Sequence, residues 1–272
     1  MPAMRACFSL LRLLLLGALF SGALPAVASA TTVAVTLPPL AGLVSMLDER
    51  AELFCLLPAG ADPHHFQMQP RMVERLRKSD LFIRASRDDG GWPLLAAQSG
   101  VLDLWPQRDH GWVSPAEVRR VLPEIAQALI SREPASEARI RSNLAQALAQ
   151  VTQIEQLWRQ QLQAARQTGV MMQHPAWGRL LDEMGVPVLA VLESGHHGHE
   201  YGPHMLEDAL TKMHQHPGVW LLGDRGHDSK ALDWLAAHAE TPAHRVTLDV
   251  LGQCGVSWPA LMQENIDRLH GQ

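Results

Sequence analysis

Residues 135–167 contain neither glycine nor proline, and Ile140, Leu144, Leu148, Val151, Ile154, Leu157 and Leu162 recur through them mostly at three- and four-residue steps. Gln, Arg and Glu fill the intervening positions, which is the pattern of one long amphipathic helix. At 1.5 Å per residue a helix over 134–168 would run about 50 Å. That exceeds the width of a small lobe, so the stretch is expected to join two lobes as a stiff spine. A helical hairpin with its turn hidden in the Gln-rich part is the alternative.

The flanking sequence has a different rhythm. Before the spine, short apolar runs at 32–37, 53–57, 81–83 and 101–104 read as strands; Pro38-Pro39 stops the first, and a Pro/Gly-rich stretch at 58–63 closes the second. Ser114-Pro115-Ala116-Glu117 then opens a helix, with Ser as N-cap, Pro at the first helical position and Glu at the third. After the spine, strands at 169–172, 186–192, 219–222 and 245–249 alternate with helices at 177–184, 204–214, 230–239 and 258–269. Buried strands separated by helical segments favour parallel βα units over an antiparallel meander. The expected fold class is therefore α/β, with parallel-sheet lobes over 31–133 and 169–272 joined by the helix at 134–168.

The first 30 residues carry Arg5 and Arg12 as their only charges, then a mostly apolar run at 13–20 and an Ala28-Ser29-Ala30 ending. A basic start, a short apolar core and an A-x-A site describe a secretory signal peptide. The run is too short for a mature membrane span. With no Cys near the cleavage site, a lipid anchor is not expected. Losing two arginines takes the formal charge from −5 to about −7, which argues against nucleic acid as a partner. The exported chain, 31–272, keeps Cys55 and Cys254, which either form one disulfide or stay as two thiols.

Histidine supplies the chemistry. There are 14 in the chain, none of them in the leader, and six fall between His196 and His216. Neutral imidazole is the commonest protein metal ligand, and with carboxylate oxygens it suits zinc and its neighbours. In open α/β sheets ligands bind beyond the carboxyl ends of the strands. His64, His110 and His174 each follow an expected strand end, and Asp249 closes the last strand. Two come from each lobe, which predicts a four-coordinate divalent site in a cleft between the lobes. For Asp249, capping a turn is the competing role. His65 is expected to face away from its neighbour, and the His196–His199 cluster is a solvated loop, a low-affinity collecting loop or a set of ligands for a second ion, with Glu193 and Glu200 helping.

Four segments also resemble the periplasmic zinc/manganese receptors of ABC importers: Asp62-Pro63-His64-His65-Phe66, His110-Gly111-Trp112-Val113-Ser114-Pro115, His174-Pro175-Ala176-Trp177 and Thr247-Leu248-Asp249-Val250-Leu251-Gly252. Their order agrees over nearly the whole exported chain. The resemblance implies metal held between two lobes by His64, His110, His174 and Asp249, delivery to a membrane permease, and a monomer without enzymatic activity. Histidine at the third position implies zinc rather than manganese, since Glu there would harden the site. Two features depart from the group. The chain has no His-rich loop between His65 and His110, and Asp224 stands where relatives often have Glu. An exported zinc metallochaperone would use the same ligands. A zinc hydrolase would need an open metal position for water, and His197-Gly198-His199-Glu200 is its only sequence support.

Overall fold

The computed structural model describes residues 30–63, 66–86, 100–107, 109–193 and 203–270. In the first lobe β1 (Thr32–Val35), β2 (Glu52–Cys55), β3 (Leu81–Arg84) and β4 (Val101–Asp103) form one parallel sheet in the order β2-β1-β3-β4. The second lobe repeats the plan with β5 (Val170–Met172), β6 (Val188–Val191), β7 (Trp220–Asp224) and β8 (His244–Leu248), ordered β6-β5-β7-β8. In both sheets the strand order therefore reverses beside the first strand, and that switch point opens a crevice at the carboxyl edge.

Helices cover the sheets. Pro38-Pro39 ends β1 and also begins α1 (Pro38–Leu47), because proline's fixed φ suits the first helical turn. The helix α2 (Pro70–Arg77) follows β2, and α3 (Pro115–Arg132) follows β4. Ser114 caps α3 as expected, its Oγ accepting from Glu117 N at 3.2 Å.

The spine is α4 (Glu137–Gln161), entered through a 3₁₀ turn at Pro134–Ser136. Its 25 residues span about 37 Å, shorter than the full 134–168 stretch. The chain turns at 162–164 and makes a further helical turn, α5 (Ala165–Thr168). Leu162 and Ala165 are both fully buried, so the buried face continues through this break. The apolar spacing continues through the bend, so periodicity alone read it as straight helix.

The second lobe adds α6 (Gly178–Met184), α7 (Pro203–Gln215), α8 (Lys230–His238) and α9 (Trp258–His270). Although α9 follows the last strand of the second lobe, it packs against α1 and α4 as well as β8. At this crossing Gly42 of α1 lies so close to the start of α9 that an added Cβ would sit 2.7 Å from Trp258 N and Val256 O. One buried apolar cluster runs from Val33 and Leu40 through Val151 and Trp158 to Met172, Trp258 and Leu269, so both lobes share a core. Residues from Thr31 onward form a single compact unit. Cys55 and Cys254 are joined as a disulfide across 199 residues of sequence, which resolves the choice that the sequence left open.

Candidate metal centre

The cleft at the carboxyl edges of the two sheets has a volume of about 650 Å³, and His110, His174, His227 and Asp249 all line it. From the first lobe His110 enters after β4. Its backbone is left-handed, φ 53° and ψ 31°, and it caps the 3₁₀ turn Gly111–Val113. Positive φ is uncommon for a residue with a Cβ, and here the neighbours hold it. Gly111 lies flat on the Trp105 indole with no room for a side chain. Trp112 donates through Nε1 to Val250 O at 2.8 Å, and Trp258 Nε1 donates to Trp112 O at 2.6 Å. Three buried tryptophans thus fix the segment that aims His110.

His174 enters from the second lobe, two residues after β5. Extended backbone (φ −113°) precedes the 3₁₀ turn Pro175–Trp177, and the side chain is buried. The His110 and His174 rings meet edge to face with centroids 5.2 Å apart. Residues from opposite lobes therefore share one crevice wall.

Asp249 follows β8 and serves two ends. Its Oδ1 accepts from Leu251 N at 3.1 Å and Gly252 N at 2.8 Å, so it does cap a turn. Oδ2 lies 3.2 Å from the Arg225 guanidinium. Asn265 clamps its backbone on both sides, donating to Asp249 O and accepting from Asp249 N. His64 and His65 lie outside the described residues, as does the cluster His196, His197, His199 and Glu200. Asp62 and Pro63, just before His64, line the cleft.

Two residues that the sequence did not bring together stand beside His174. The His227 ring stacks on that of His174 at 4.6 Å. Glu193 Oε2 is 3.5 Å from His174 Nδ1 and 3.4 Å from His227 Nδ1. Gln173 donates to the other carboxylate oxygen, Oε1, at 2.8 Å. His227 follows the carboxyl end of β7, the same kind of position that marked the other three histidines. It stands three residues beyond Asp224, nearer to its strand than His110 is to β4, so the same strand-end signal could have found it.

Asp224 closes β7 and is buried. Burial pushes its carboxyl up to about 7, the Trp177 indole donating to Oδ1 opposes this, and the Glu193 and Asp249 carboxylates add to it. The cleft thus gathers imidazoles and carboxylates at partly desolvated positions, a donor set for a borderline divalent cation.

A sequence profile of the ZnuA family, described as the periplasmic component A of a zinc-uptake complex, matches residues 33–271. The chain belongs to that family. It is 20% identical over 264 residues to the high-affinity zinc uptake system protein ZnuA of Bacillus subtilis, covering 82% of this chain and 81% of that protein. A putative metal-binding protein of Thermotoga maritima is 26% identical over 197 residues, covering 68% of this chain and 72% of the relative. Among solved structures a ZnuA crystal structure superposes with a TM-score of 0.75 at 18% identity, covering 88% of this chain and 98% of that one. The manganese complex of FpvC from Pseudomonas aeruginosa gives 0.73 at 18% identity, covering 88% and 95%. At these identities the structural likeness establishes the fold: two parallel-sheet α/β lobes joined by a long helix. Family membership makes this a metal-binding protein of the solute-binding type.

Proposed function

We propose that this ZnuA-family chain is an exported receptor that captures zinc, with manganese as the alternative cargo, and hands it to the membrane permease of an ABC importer. His64 and His110 of the first lobe would close on the ion with His174 and Asp249 of the second. The observation that carries this reading is the edge-to-face meeting of His110 and His174 in a cleft that Asp249 also lines. Three imidazoles and one carboxylate make a closed tetrahedral set, which leaves no position for a reactive water, so the reading is binding without catalysis. Imidazole at the third position, in place of a carboxylate, favours zinc over manganese.

Ligation uses deprotonated imidazoles, so each zinc captured displaces protons and affinity falls as pH drops through the imidazole range. The 1–30 segment serves as a cleaved export signal in this reading, and the exported chain works as a monomer. Among the described residues no helix is long and apolar enough to cross a membrane.

Zinc titration by calorimetry tests the assignment. His110→Ala and His174→Ala are each expected to weaken binding by at least ~100-fold, with the far-ultraviolet circular dichroism unchanged. Wild-type affinity in a folded His110→Ala variant would remove His110 from the site. Competition between zinc and manganese on the wild-type chain tests the choice of cargo, and preference for manganese would reverse it.

A further inference from the structure

We propose that His174, Glu193 and His227 form a second position for a divalent metal, lying wholly on the second lobe and sharing only His174 with the interlobe ligands. The three side chains offer ligand atoms that all lie within 4.8 Å of one another. Donors about 2.0 Å from a tetrahedral zinc are separated by roughly 3.3 Å along each edge. Glu193 Oε2 stands 3.5 Å from one Nδ1 and 3.4 Å from the other, close to that edge and longer than an ordinary N–H···O bond of about 2.9 Å. Gln173 occupies Oε1, which turns Oε2 toward both imidazoles. Fixing a ligand through its second atom is what outer partners of metal sites do. Three strands' carboxyl ends supply the ligands: β5 leads to His174, β6 to Glu193 and β7 to His227. These three strands are neighbours in one sheet, which presets the spacing with no contribution from the first lobe.

His174 belongs to both positions, and this sets how they work together. A neutral imidazole gives one lone pair to one metal, so the two positions exclude each other and the chain carries one ion at a time. When the first-lobe ligands withdraw, the ion stays on the second lobe with three ligands and one coordination position open. That open position is where an acceptor's ligand would enter. Unlike the capture site, this station needs neither His64 nor His110. The inference rests on the capture reading only for its order of events, and the two fail separately.

Zinc titration of the full chain carrying His64→Ala and His110→Ala, followed by calorimetry and equilibrium dialysis, tests it. The expected result is one zinc bound more weakly than in the wild type. Adding either His227→Ala or Glu193→Gln is expected to abolish that event, each serving as a check on the other, with circular dichroism confirming the fold. No zinc bound by the double variant overturns the proposal, and so does binding that survives both added substitutions. Wild-type tightness in the double variant that His227→Ala removes would refute the capture reading and leave the second-lobe position standing.

Discussion

His110 shows what a single residue owes to its surroundings. A left-handed backbone at a residue with a Cβ persists only where packing over-determines it, and the Trp105, Trp112 and Trp258 hydrogen bonds and contacts do so here. Asp224 poses the opposite case, a buried carboxyl for which ionisation is unfavourable. In the metal-free protein its folded value near 7 lies above the ordinary 3.8, so the folded state holds an extra proton between the two. The sign follows: stability is full below the ordinary value and falls as pH rises through that window. Asp224→Asn is expected to flatten this part of the stability curve, measured by urea unfolding at acidic and neutral pH. An unchanged slope in the variant would assign the pH dependence to other groups. Bound zinc would favour the ionised carboxylate, so the contrast belongs to chelator-treated protein.

At the scale of elements, the decisive contacts are those between helix ends of different lobes. Glu183 of α6 accepts from Ser114 Oγ at 2.6 Å and Ala116 N at 3.1 Å, placing a carboxylate at the positive end of α3. Arg179 of the same helix donates to Asp109 O at 2.7 Å, one residue before His110. The crossing of α1 and α9 is tighter still. In an exposed helix Gly→Ala gains about 1 kcal/mol from propensity. At Gly42 the new methyl would meet backbone at 2.7 Å, and overpacking of that kind costs about 1–3 kcal/mol. The clash is expected to win, so Gly42→Ala should lower the melting temperature in a thermal scan. A raised melting temperature would show that α9 shifts without cost.

Across the whole molecule, the chain passes between the lobes twice, through α4 and again through 250–258, and the Cys55–Cys254 disulfide lies beside the second passage. With a shared core and two connections, wide hinge closure is not available, and opening must proceed by small adjustments. X-ray scattering is expected to give nearly the same radius of gyration for chelator-treated and zinc-loaded protein; a drop of several ångströms on loading would instead indicate hinge closure. Replacing both cysteines with serine is expected to destabilise the chain by about 2–4 kcal/mol while sparing tight zinc binding, since neither sulfur is among the candidate ligands. Loss of zinc affinity in the folded double-serine variant would make the disulfide part of the site's geometry.

The strand–helix rhythm, the Ser114 cap and the strand-end placement of His110, His174 and Asp249 were all legible in the residues, because local propensity and period decide them. The limits of the spine were not, since Leu162 fits the apolar stripe of a straight helix equally well and the break at 162–164 leaves that stripe buried. Nor did spacing reveal that Glu193 faces both His174 and His227, residues brought together by three neighbouring strands. By itself the sequence determined the elements and the kind of ligand, through short-range sterics and side-chain chemistry. Only the tertiary structure decided which donors share a point in space, because parallel strands of one sheet align residues that sequence keeps far apart.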